Sequence, residues 1–312
     1  TVSVLEQFFV KVVSPIPIHA LINGTNETLT TGWYNQGTEI HVENITYYPY
    51  SSARYVITSI SPLPLFILNK PVNITISAVL QFLVKVVSPI PVHALINGTN
   101  ETLTTGWYNK GTVIRILNLS YYITPSERCV IVSVSPSTSL TVKSPTEIKV
   151  YTVRQFYVTV SSPIPVHALI NGTERVLNSS WINEGTKISI LNYTYYVNSY
   201  ERYVITGISP RSLTVEGPSK ITLTAVRQYL VTINGVSKWY NEGTKIVLNA
   251  SVPFYMVGKF VGTYNVSPGT VITVSGPISE RLVETPNYPV IILLSLVAVA
   301  VVIGVIIGVK LR

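Results

Sequence analysis

Trp33-Tyr34-Asn35-Gln36-Gly37-Thr38 returns three times, as Trp107-Tyr108-Asn109-Lys110-Gly111-Thr112, Trp181-Ile182-Asn183-Glu184-Gly185-Thr186 and Trp239-Tyr240-Asn241-Glu242-Gly243-Thr244. All four tryptophans of the chain lie in this motif. Asn-x-Gly followed by the alternating run Thr38-Glu39-Ile40-His41-Val42 reads as a hairpin, with Gly37, Gly111, Gly185 and Gly243 supplying the positive φ of a bulged turn. Beside such a turn, Trp33, Trp107, Trp181 and Trp239 are either sugar-stacking platforms or core residues. Recurrence in every copy favours core, and Trp107→Ala would then cost ~3–5 kcal/mol.

Working outward, Gln7, Gln81, Gln155 and Gln228 open equivalent strands at spacings of 74, 74 and 73 residues. A repeat of this length is the dominant signal in the chain. After each of the first three glutamines come a Ser-Pro-Ile-Pro step (from Ser14, Ser88 and Ser162), a short strand such as His19-Ala20-Leu21-Ile22, and an Asn-Gly turn. Paired tyrosines follow (Tyr47-Tyr48, Tyr121-Tyr122, Tyr195-Tyr196), with one ring expected inward and one outward. Then come Arg54, Arg128 and Arg202, each 21 residues after its Trp. These arginines read as solvated strand starts. In the fourth copy the Pro-x-Pro and His segments are deleted, and Lys259 takes the Arg place in the sequence.

Short β-branched and aromatic runs punctuated by Gly and Pro predict an all-β chain of tandem Ig-like antiparallel sandwiches, each of about seven strands, followed by one helix. The expected divisions are 1–6 (terminal strand of a preceding repeat, or a free donor strand), 7–80, 81–154, 155–227, a truncated 228–289, a membrane helix over 290–309 and a tail over 310–312. Residues 73–88, 147–162 and 220–234 contain no Gly or Pro at their interior positions, so the last strand of one repeat runs into the first of the next. A flexible linker would need Gly and Ser there. Stiffly joined beads are expected, each roughly 30 Å across. The start, Thr1-Val2-Ser3-Val4-Leu5-Glu6-Gln7, matches Thr75-Ile76-Ser77-Ala78-Val79-Leu80-Gln81, and a strand of this kind can pair with another molecule's sheet edge.

Residues 290–309 carry no charge, span ~30 Å as a helix, and end at Lys310-Leu311-Arg312. The terminal cations place the C-terminus in the cytoplasm and residues 1–289 outside, a single-pass cell-surface topology. Gly304 and Gly308 are four apart, as at a helix-dimer face, so a homo-oligomer is open. No signal peptide is visible, so the numbering starts after its removal or within a longer chain.

Only 12% of the chain is charged, against ~25% in soluble proteins. All 14 acidic residues are Glu. The absence of Asp removes an aspartic-protease dyad, an Asp-rich calcium loop and a Ser-His-Asp triad. The net charge of +8 includes no Lys/Arg run, so no nucleic-acid partner is expected. Cys129, where the neighbouring repeats have Tyr55 and Tyr203, reads as a buried substitution. His19, His93 and His167 lie one per repeat and His41 only in the first, which does not converge ligands on a metal. No catalytic, metal or cofactor residue is expected, and the chain reads as a non-enzyme.

Twelve of the twenty asparagines head Asn-x-Ser/Thr sequons: Asn23, Asn26, Asn44, Asn73, Asn97, Asn100, Asn118, Asn171, Asn178, Asn192, Asn249 and Asn265. About four would arise by chance, so N-linked glycans are expected on most of them. At Asn23, Asn97 and Asn171 the Asn-Gly turn alone also explains the residue.

The Gly-Trp-Tyr-Asn-x-Gly-Thr turns (from Gly32 and Gly106), the sequon-dense Ser/Thr/Tyr-rich repeats and the valine-rich tail from Pro289 together resemble cell-surface proteins of thermoacidophilic, Sulfolobales-type archaea. Two families are similar: the small S-layer subunit that anchors the outer lattice to the membrane, and the non-catalytic tails of thermopsin-like acid proteases. The resemblance implies a stalk tying a surface layer or another extracellular protein to the membrane. It also admits the stalk of a larger anchored protease or solute-binding protein, or an adhesin or filament subunit that assembles by strand addition. The coiled coil of S-layer anchors has no heptads here, and no protease segment is identifiable.

Overall fold

A computed structural model describes residues 3–310. The first two residues of the 1–6 segment and the last two of the 310–312 tail lie outside the described residues. In the first repeat the chain forms β1 (Gln7–Val13), β2 (His19–Ile22), β3 (Thr25–Thr28), β4 (Gly32–Asn35), β5 (Glu39–Val42), β6 (Tyr47–Tyr50), β7 (Ala53–Ser61), β8 (Leu65–Ile67) and β9 (Val72–Val87). One sheet has the order β3-β2-β5-β8, antiparallel throughout. The other has the order β4-β1-β9-β7-β6, antiparallel except where β1 and β9 run parallel. Nine strands thus stand where about seven are expected.

The parallel pair follows from the way repeats are joined. β9 is 16 residues long. Its first half closes the first sandwich, and its second half opens the next, pairing antiparallel with Gly106–Asn109. A strand that ends one repeat and begins another must point the same way as the strand that began the first. Where the two are neighbours in one sheet, they pair parallel.

Alternation decides the inside of each sandwich. Val10, Ala20, Ile40 and Ile74 are fully buried in the first core, as are Val84, Ala94, Ile114 and Ile148 in the second. A third core gathers Phe156, Val158, Ile188 and Ile221; a smaller fourth gathers Val231, Leu248, Phe260 and Val274. The chain divides into two compact units, Thr1–Gln155 and Phe156–Arg312. The 16-residue strand Thr146–Ser161 serves both: residues 146–149 pair parallel with 84–87, and 158–161 with 219–222. In the second unit, Ser219–Ile233 is likewise continuous from the third sandwich to the fourth. The fourth is reduced: Val236–Asn241, Ser219–Ile233, Ile278–Pro286 and Met256–Gly262 form its main sheet, with a two-stranded sheet of Lys245–Leu248 and Thr270–Thr273.

One expectation is corrected. The 33–38 segment is no hairpin, because β4 and β5 belong to different sheets. It is an arch carrying the chain from one sheet to the other. Gly37 sits at φ 83°, its N–H donates to Leu68 O at 2.8 Å, and Thr38 O accepts from Leu68 N at 2.9 Å. Thr38 is buried and its hydroxyl donates to Asn35 O at 2.7 Å. Locally an arch and a bulged hairpin use the same residues, so the sequence alone does not separate them. Residues 3–6 carry no regular element of their own.

The last described element is α1, Tyr288–Lys310, of 23 residues. The 20-residue stretch Tyr288–Ile307 is long and apolar enough to cross a membrane, and none of it is buried in the protein.

Candidate functional site

The residues that mark each repeat converge at the joint between one sandwich and the next. Arg54 on β7 and Gln81 on β9 face each other across the sheet, and Asn109 faces Gln81 from the other side. Arg54 Nε donates to Gln81 Oε1 at 2.8 Å, and Gln81 Nε2 donates to Asn109 Oδ1 at 2.9 Å. The guanidinium then lies over Trp107, 4.6 Å from the ring centroid. Tyr48 meets the same indole edge-on, at 6.0 Å. The second unit repeats the arrangement. Arg202 Nε donates to Gln228 at 2.9 Å, Gln228 to Asn241 at 2.8 Å, Arg202 lies 4.4 Å from the Trp239 centroid, and Tyr196 packs at 6.1 Å. Arg128 Nε holds Gln155 Oε1 at 2.9 Å in the same way.

Trp107 and Trp239 are therefore joint residues and not core. Trp107, Trp181 and Trp239 are half-buried. The residue after each one is the inward one, and Tyr34, Tyr108, Ile182 and Tyr240 pack against the four cores. Trp33 is 66% exposed and touches Phe9, its cross-strand partner, at 5.4 Å. Gln7 keeps its bond to Asn35 at 2.8 Å. The first repeat thus presents the Trp, Gln and Asn of the joint with no guanidinium over the indole among the described residues. The arginines are not solvated strand starts either: each lies across the face its hairpin shares with the following strand.

A second contact escaped sequence reading. Glu127 does not pair with adjacent Arg128; its Oε1 accepts from Arg154 Nε at 2.7 Å and Nη2 at 2.6 Å. Glu201 holds Arg227 identically, at 2.8 and 2.7 Å, and this bond pushes the Arg227 pKa up. At the same two places the first joint has Ala53, fully buried, and Leu80, packed against the second core. The signal was present in the chain's own repeats: Ala with Leu once, Glu with Arg twice. Lys85 Nζ and Glu147 Oε2 form a third pair at 2.8 Å, side by side on parallel strands.

The truncated repeat differs in a further way. Lys259 lies opposite Val283, not at the joint. Register from the parallel pair (Val231 opposite Ile278, as Val10 is opposite Val72) puts Asn287 where the other joints have Gln, and Tyr255 where they have Arg. Asn287 N donates to Tyr255 O at 2.9 Å.

All twelve sequon asparagines are exposed. Asn23, Asn97 and Asn171 have φ of 51°, 50° and 49° with a following Gly also positive, the geometry of a two-residue I′ hairpin. Their Oδ1 atoms accept from Glu39 N, Val113 N and Lys187 N, each at 2.9 Å. Asn234, outside any sequon, does the same for Leu282 N at 2.6 Å. His19, His41 and His93 are exposed, while His167 is half-buried beside Glu174 and Tyr193. Cys129 is half-buried opposite Tyr121. Among the described residues no three His, Cys or acidic groups gather to hold a metal.

No family model, curated protein or solved structure matches this chain. The site joins one sandwich to the next by a cation on an aromatic face, a row of amides and a shared strand.

Proposed function

We propose that the chain is a non-enzymatic, single-pass cell-surface stalk. In this reading α1 anchors it, the joined repeats set a distance from the membrane, and the first repeat meets an extracellular partner such as a surface layer. The sequons would carry N-linked glycans on the outer side. The observation that carries the reading is that α1 follows the strand Ile278–Pro286 with one residue between them, so an apolar helix is coupled directly to a run of clasped β-repeats. Imaging the native envelope with this protein labelled at the first repeat tests it. The expected result is label at a constant height beneath or within a surface layer; label scattered over all heights overturns it. Protease protection of the 310–312 end, with digestion from outside confined to residues 1–289, is the matching topology test.

Exposure of Trp33 favours a second reading, in which the repeats are the stalk of a larger anchored protein whose own repeat covers that indole. The mass of the intact native polypeptide separates the two.

A further inference from the structure

The joint of the fourth repeat is built from a different chemistry. Where Arg54 and Arg202 reach toward a following sandwich, the fourth repeat has Tyr255. Where Gln81 and Gln228 continue into a strand, Asn287 continues into α1. Around this point stand Phe254, 70% exposed, and Tyr288, 66% exposed, with Tyr255 itself 46% exposed. Phe254 and Tyr255 meet edge-on at 5.5 Å. The loop bearing them is held at the level of the helix start by the bond from Asn287 N to Tyr255 O, and by the ladder that sets Met256 opposite Pro286. It is also packed down behind: Val252 lies against Gly258. Its exposed aromatics are thus fixed beside the point where α1 begins.

We propose that Phe254, Tyr255 and Tyr288 form a collar that seats the fourth repeat in the lipid headgroup layer. The inference rests on the reading of α1 as a membrane anchor and adds to it a second contact made by the β-repeat. The partner is the lipid interface itself. Aromatic rings with one wet and one apolar side concentrate at that depth, tyrosine among them. Two such rings, Tyr255 and Tyr288, with the wholly apolar Phe254 beside them at an apolar helix start, in place of a cation and a glutamine, match that environment and not a further sandwich. Phe254 is the residue with least reason to face water: it is large, exposed, and lies outside the fourth core. The consequence is an anchor with two points, the helix axis and the loop beside it. A single helix leaves its ectodomain free to tilt; a second point in the headgroups restricts that tilt.

The experiment uses the full chain in phosphatidylcholine/phosphatidylglycerol nanodiscs with Cys129→Ser and one nitroxide label at a time. The sites are Phe254→Cys, Val299→Cys within α1, and Val236→Cys. Val236 is 73% exposed in the hairpin beside Glu280, and at ~3.3 Å per residue that hairpin is set back ~23 Å along the strand from Asn287. Collision with oxygen, which enters lipid, is compared with collision with a water-soluble nickel chelate. The expected result is a several-fold loss of nickel access at 254 relative to 236, with 299 shielded more fully. Nickel access at 254 equal to that at 236, with 299 shielded, overturns the collar and leaves the anchor standing. Nickel access at 299 equal to that at 236 overturns the anchor and the collar with it.

Discussion

Arg54 belongs to one sandwich and Trp107 to the next, and the guanidinium rests on the indole at 4.6 Å from its centroid. The pair reports how well two repeats are joined. A cation over an exposed or half-exposed Trp contributes ~0.5–1 kcal/mol. We expect a coupling of that size between Arg54→Ala and Trp107→Ala in a double-mutant cycle, read by denaturation of the detergent-solubilised chain. Trp33→Ala, at the indole without a cation, should change stability by less than about 0.5 kcal/mol. Equal losses at Trp33 and Trp107 would show that the indole acts within its own repeat.

The charged contact at the second unit's joint has an apolar counterpart in the first. Removing one partner of a paired charge leaves the other unmatched, whereas replacing both with apolar groups can be neutral. Glu201→Ala alone should therefore destabilise more than Glu201→Ala with Arg227→Leu, which copies Ala53 and Leu80. The order of melting temperatures across the two singles and the double tests this; a double mutant less stable than both singles contradicts it.

Hydrogen bonds from Lys85 first, and then Lys149, hold the Glu147 carboxyl below its ordinary range. A depressed carboxyl pKa adds stability above the unfolded value of ~4.3, and the contribution is lost as pH falls through the folded value. The wild type should thus exceed Glu147→Gln at about pH 6, and the two should converge at about pH 2. The group is exposed, so the gap is small and shrinks with added salt. A gap that persists in acid would assign the effect to packing.

Asn97 holds φ near 50° and accepts from Val113 N. Asn97→Gly keeps the turn, whereas Asn97→Ala keeps a Cβ in the left-handed region without the amide that offsets its strain there, and should cost ~1–2 kcal/mol more. Comparing the two by thermal denaturation measures the turn's role. Mapping glycans on native protein measures the sequon separately, and we expect occupancy at Asn26 and Asn100, whose side chains are exposed.

The repeat, the gapless joints and the apolar helix were legible because each is written in consecutive residues: periodic Gln and Trp, a strand without Gly or Pro, a run without charge. The role of the Trp was not, because its partner arrives from the preceding repeat. A residue kept in every copy looks the same whether it fills a core or takes a neighbour's arginine. The truncated repeat misled because its spacing is redistributed. Arg54 stands 21 residues after Trp33, but Tyr255 stands only 16 after Trp239, so the sequence spacing points past the joint to the neighbourhood of Lys259.

The 16-residue strand β9 has a consequence for how such a chain can change. Gln81 sits ten places along β9, as Gln228 does along Ser219–Ile233. One residue gained or lost between Val72 and Gln81 would turn every later side chain to the opposite face, putting the second sandwich's interior into water. Loops at the sandwich ends are free of that constraint. The one-residue shortening between the third and fourth glutamines falls there, ahead of Ser219, so the strand that joins the repeats keeps its count. Descent by copying whole repeats, with drift confined to the loops, is what a ladder with no gap between its rungs permits.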